Sequence, residues 1–166
     1  MANKRRCRFR NKMSVRVELS TDLLSRLEEE ALWAEPHEAC ALLLGHADEN
    51  GVNVTDIAFS ANVTEGDPKT TFEIDPTLYI RRQKEARQGG PQVVGVWHSH
   101  PGGKPLPSDT DKARSVEPGW LWIITAVNDG QAESVGYRAD AHAPEVMHPA
   151  QITSQITPAR FSSQTV

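Results

Sequence analysis

Two apolar runs constrain this chain most: "ACALLLG" at residues 39–45 and "WLWIITAV" at 120–127. Neither approaches the roughly 20 apolar residues of a membrane-spanning helix, and both are strand-sized. "EACALLLGHA" reads as a mostly buried strand, joined by the turn signal "DENG" to a second strand in "VNVTDIAFSANV". "WLWIITAV" and "ESVGYRA" read as a hairpin around Asn128-Asp129-Gly130. "SVRVEL" alternates like a short strand, "TTFEID" is another with Phe72 and Ile74 on one side, "QVVGVWHSH" is a fourth type of strand ending in polar residues, and "PEVMH" is the last.

Helices fall between these strands. Ser20 or Thr21 can cap a helix running to about Glu35, with Leu23, Leu27, Ala31 and Ala34 on one face, and Pro36 ends it. Pro76 opens a polar helix to about Gln88, stopped by Gly89-Gly90-Pro91. "SDTDKARSVE" is a short helix. Interleaved strands and helices imply an α/β fold, a mixed twisted sheet flanked by helices.

At 166 residues, 38% hydrophobic and 24% charged, the chain suits one globular domain. Its net charge of −4 hides an asymmetry: residues 1–12 hold six Lys or Arg and no acid, so the remainder carries −10. Residues 1–13 read as a basic, disordered leader, or Met13 is the true start; 14–149 form the domain; 150–166, rich in Gln, Ser and Thr, read as a polar tail. The leader lacks the apolar core of a secretory signal. An acidic body without a nucleic-acid motif argues against nucleic-acid binding, and no segment argues for a membrane. Two unpatterned cysteines, Cys7 and Cys40, fit a reducing cytoplasm, with Cys40 a small buried side chain. A homodimer is compatible with the sequence.

The stretch "HSHPGGKPLPSDTD" carries the chemistry. Residues two apart on a strand face one side, so His98 and His100 project together while Trp97 and Ser99 point away. Asp111 can return as a third ligand across the Pro- and Gly-rich loop. Two imidazoles and a carboxylate suit zinc, and three protein ligands leave a position open for water. Alternatively, the same residues are a polar strand end followed by a helix start, with Ser108 as cap and Asp111 favoured in the first turn. The two readings are compatible, because a cap fixes where Asp111 points. Hydrolysis also needs a general base that is not a ligand. Glu38, opening an otherwise apolar run, is either that base or a surface residue at a strand end.

The upstream Glu in "PHEACALLLG", then "HSHP", with seven residues between His100 and Ser108, then "SDTD", resembles the JAMM motif of MPN-domain (JAB/Mov34-type) metallopeptidases, in the compact form of bacterial and archaeal members. The resemblance spans about residues 14–140. It implies a cytidine-deaminase-like α/β fold and one zinc per chain on His98, His100 and Asp111. It further implies Glu38 as the base that deprotonates water, and Ser108 as the donor to the oxyanion. It implies hydrolysis of a peptide or isopeptide bond after the C-terminal Gly-Gly of a small ubiquitin-like, sulfur-carrier type protein. Alternatives are a non-catalytic MPN scaffold and a metallopeptidase with another peptide substrate. A zinc deaminase is disfavoured because no Cys-x-x-Cys is present. Two features depart from or extend the pattern. Ala41 stands where the family often has Gly and could narrow the space near Glu38. Asn62 either approaches the substrate channel or is a turn residue.

Overall fold

The computed structural model describes residues 15–155. The basic leader, Cys7 and the end of the polar tail lie outside them. Seven strands and three helices alternate as β1 (Val15–Ser20), α1 (Thr21–Ala34), β2 (Cys40–Ala47), β3 (Gly51–Ser60), α2 (Pro76–Arg87), β4 (Gln92–Pro101), α3 (Asp109–Arg114), β5 (Leu121–Asn128), β6 (Gln131–Ala139) and β7 (Met147–Gln155). The expected mixed α/β architecture is present. The strands lie in the order β1-β3-β2-β4-β5-β6-β7, and β7 pairs back on β1, so the sheet curls until it closes. The β4–β5, β1–β3 and β1–β7 pairs are parallel and the rest antiparallel.

Two expectations need correction. "TTFEID" is not a strand: its ladder is one isolated bridge between Asn62 and Ile74. Nor does the polar tail begin at 150. β7 continues to Gln155, with Val15–Ser20 running parallel to Ala150–Gln155. Its Gln, Ser and Thr residues lack an apolar period because the strand pairs through its backbone while much of its side-chain surface stays in water.

Each face of the sheet has its own core. On one face, α1 lays Leu23, Leu27 and Ala31 against Ala41, Leu43, Trp97, Ile123 and Val127. The helix starts where Ser20 Oγ accepts the Leu23 amide at 3.1 Å. The indole of Trp97 is fully buried here, and its N–H donates to Thr125 Oγ1 at 2.8 Å. Ala41 belongs to this face, so its methyl does not enter the space near Glu38. The opposite face carries Cys40, Leu42, Ala58, Val96, Trp122 and Ile124, covered by Phe72 and Leu78. His98 and His100 sit on this second face.

Strand β4 passes so close to β5 that position 95 has no room for a side chain. A Cβ on Gly95 would lie 1.9 Å from the Leu121 carbonyl oxygen. Gly95→Ala must push apart the parallel pair that carries both histidines. We expect a loss of more than about 2 kcal/mol in denaturant unfolding, together with weakened metal binding. Wild-type stability would remove this account of the glycine.

Candidate metal centre

Strand β4 brings the histidines together as the alternation predicts. His98 is fully buried and paired with Cys40 on β2 and Ile124 on β5. Its ring stacks on Phe72, with centroids 4.4 Å apart and 21° between planes, and meets Trp122 edge-on at 5.9 Å. Aromatic packing therefore sets its orientation. The His100 ring is set differently: Nδ1 lies 2.9 Å from the Lys104 carbonyl oxygen. A carbonyl only accepts, so that contact places a proton on Nδ1 and leaves Nε2 as the nitrogen that faces His98 and Asp111.

Asp111 arrives from α3. Ser108 caps this short helix in a capping box: its Oγ accepts the Asp111 amide at 3.1 Å, and its own amide donates to Asp111 Oδ2 at 2.7 Å. The Ser108 hydroxyl also donates to Oδ2, again at 2.7 Å. Both readings of the motif thus hold at once, because the cap aims the carboxylate at the histidines. Asp111 Oδ1 lies 3.2 Å from His98 Nε2, and Oδ2 lies 3.4 Å from His100 Nε2. The two Nε2 atoms are 2.9 Å apart.

Glu38 completes the group from the opposite side, with Oε1 3.9 Å from His100 Nε2. It is not a surface residue: Glu38 is 6% exposed and Asp111 4%. The backbone of Glu38 is pinned at both ends. Its amide donates to Pro68 O at 2.7 Å and its carbonyl accepts from Asn62 Nδ2 at 3.0 Å. Asn62 also donates to Thr71 O and accepts the amides of Thr64 and Glu73. It is therefore the brace of the segment that holds Phe72 on His98, a structural role in the loop.

Burial and charge set the protonation states. Burial raises the Glu38 carboxyl to about 7; Asp111 adds to this, while His100 and Arg114 oppose it. Burial drives His98 below the usual histidine range, partly offset by Asp111, and so favours neutral imidazole. For His100, burial is outweighed by hydrogen bonds to Asp111 and the Lys104 carbonyl, which raise it. Asp111 is held ionised far below the ordinary carboxylate range: burial opposes this, but bonds from His100, His98 and Ser108 prevail. Burial pushes the Cys40 thiol up to about 12, so it is neither thiolate ligand nor nucleophile.

These residues fit a divalent metal. Ligand atoms from His98, His100 and Asp111 all lie within 4.8 Å of one another. Two imidazole nitrogens and two carboxylates converge in a nearly dry space, an arrangement of acceptors that a cation relieves. Sequence reasoning missed three supports: Ser99, Phe72 as a ring against His98, and the Lys104 carbonyl. Ser99 Oγ accepts the Ala39 amide at 2.8 Å, tying the Glu38 segment to β4. Only the buried position of Ser99 in an otherwise apolar strand hinted at this, since a buried hydroxyl needs a partner.

The comparisons with known proteins agree with this geometry. The family model for prokaryotic homologs of the JAB domain matches residues 20–139, and the chain belongs to that family. It is 29% identical over 114 residues to the desampylase of Haloferax volcanii, covering 69% of this chain and 80% of that protein. It is 30% identical over 87 residues to the desampylase of Pyrococcus furiosus, covering 52% and 58%. A solution structure from Desulfitobacterium hafniense superposes with a TM-score of 0.70 at 22% identity, covering 85% of this chain and 94% of that one. One from Salinibacter ruber gives 0.62 at 26%, covering 85% and 92%.

The raised Glu38 carboxyl makes a prediction for metal-free protein. A carboxyl at about 7 when folded and about 4.5 when unfolded binds more protons folded, so its contribution to stability is lost as pH rises through that window. Removing the charge should therefore stabilise the chelated protein at pH 8 but not at pH 4, by about 1–2 kcal/mol after screening. Thermal melts of Glu38→Gln and wild type at both pH values check this. Equal differences at the two would show that Glu38 is not held protonated.

Proposed function

We propose that this chain is a zinc metallopeptidase that hydrolyses the bond after the C-terminal Gly-Gly of a small ubiquitin-like protein of the sulfur-carrier type. The observation that carries the reading is the convergence of His98, His100 and Asp111 with Glu38 facing them from the segment that leads into β2. Two relatives named desampylases support a substrate of this class.

His98, His100 and Asp111 would hold the zinc. Zinc bound there supplies Lewis acidity, polarising the scissile carbonyl and easing loss of a proton from water. Glu38 accepts that proton as the water oxygen bonds to the carbonyl carbon. Its position, within 3.9 Å of a ligand nitrogen yet outside the ligand set, suits a base. As the carbon–nitrogen bond breaks, Glu38 returns the proton to the leaving amine. Ser108 supplies the oxyanion donor. Its hydroxyl lies at the site, donating to Asp111 Oδ2 in this structure, and would turn from there to the developing oxyanion.

An extended Gly-Gly tail suits the approach, because residues without side chains let a backbone lie close to the reacting centre. β3 offers it an edge. Among the described residues, β1 meets β3 only along Gly51–Asn53, leaving the outer side of Val54–Ser60 without a strand partner. Ser60 lies in register with Cys40, and Cys40 with His98, so this edge leads to the site.

The test is intact-mass spectrometry of a β-grasp carrier protein extended beyond its Gly-Gly. The expected result is a mass loss ending at Gly-Gly that chelator abolishes. Glu38→Gln should keep one zinc per chain and lose about 100- to 10,000-fold in turnover. Ser108→Ala should lose about 100- to 1000-fold. A Glu38→Gln protein of wild-type rate would remove the proposed base, and metal-loaded protein that leaves every such extension intact would overturn the substrate class.

A further inference from the structure

Helix α2 stands apart electrostatically from the rest of the molecule. Its twelve residues carry Arg81, Arg82, Lys84 and Arg87 against Glu85 alone, a net +3 on a chain of net −4. Arg82 is spent on Glu85 at 2.7 Å. Arg81, Lys84 and Arg87 are exposed, and among the described residues no carboxylate lies within ion-pair distance of them. Ile80 is 66% exposed. It shares a helix face with Lys84 and Arg87, four and seven residues on. Tyr79, Ile80, Gln83, Lys84 and Arg87 line a groove of about 560 Å³.

We propose that this face docks the folded body of the protein substrate, through an acidic surface patch with an apolar side chain at its centre. This rests on the peptidase reading above and adds where the partner sits. The pattern is that of a recognition site, with an apolar anchor inside a rim of like charges that attracts the opposite sign and steers encounter. Position supports it. α2 packs on the same sheet face as the metal centre, with Leu78 in one cluster with Val93 of β4. Five strand residues separate Val93 from His98, about 17 Å at ~3.3 Å per residue. The exposed face of α2 lies on the far side of the helix from Leu78, so a body seated there needs an extended tail of roughly eight residues, crossing the ~10 Å helix as well as this span, to place its end at the histidines. Nucleic acid would also meet the cations but gives Ile80 no apolar counterpart, and an anionic membrane is distinguished by the vesicle arm of the test.

The experiment uses an acidic β-grasp carrier extended beyond Gly-Gly, and a free peptide of its last eight residues. Carrier binding to the chelated chain is followed by fluorescence anisotropy at low and high salt, and cleavage is followed on both substrates. Replacing Arg81, Lys84 and Arg87 together by Gln should weaken carrier binding at low salt at least tenfold and raise KM with kcat unchanged, while peptide cleavage stays at wild-type level. Ile80→Ala, which leaves all charges in place, should weaken carrier binding severalfold. Unchanged carrier binding by the triple variant overturns the docking surface, as does equal affinity for a DNA duplex or for anionic phospholipid vesicles. Failure of the metal-loaded wild type to cleave either substrate counts against the peptidase reading instead, since binding is read without turnover.

Discussion

The amide of Ala39 donates to Ser99 Oγ at 2.8 Å, and the Ala39 carbonyl accepts from the Ser99 amide at 3.0 Å. This two-bond clasp joins the start of β2 to the end of β4, and the metal centre depends on it. It fixes the register in which Cys40 lies opposite His98. One residue before Ala39, Glu38 is thereby held against His100. A slip by one residue would turn both histidines to the α1 face and replace them with Trp97 and Ser99. The fully buried Ser99 hydroxyl has its partner only in this register, so the polar cost of a misaligned pair falls on the site itself.

Around that clasp, the site is assembled from parts that each settle a different problem. Packing against Phe72 and Trp122 orients one imidazole, whereas a single carbonyl orients the other. The capping box aims the Asp111 carboxylate. The Asn62 brace holds the Glu38 carbonyl and the Phe72 segment through the same side chain. Burial and hydrogen bonding then divide the two acids by environment, Asp111 held ionised and Glu38 raised, so that neighbouring carboxyls titrate in separate ranges.

Much of this was legible in the sequence because it rests on local rules. His98 and His100 follow from strand alternation, Ser108 and Asp111 from helix capping, α1 from its cap and apolar stripe, and α2 from the opening Pro76 and the stop at Gly89-Gly90-Pro91. The motif spacing carried the ligand set and Glu38. What was hidden is what only the tertiary fold creates. The 70–75 segment has a strand's composition, yet loop hydrogen bonds from Asn62 and Asp67 hold it out of the sheet. The end of β7 has a tail's composition, yet it closes the sheet on β1. Ala41 lies next to Cys40 in sequence but on the other face, so the effect expected of it at Glu38 does not arise.

The capping box has a further consequence. Because Ser108 supplies both an amide and a hydroxyl to Asp111 Oδ2, the carboxylate is satisfied by protein donors alone. The ion is therefore not a keystone of the fold, unlike the metal of a zinc finger. Its departure leaves α3 capped and both histidines in place, so loading and stripping are exchange events at a preformed seat.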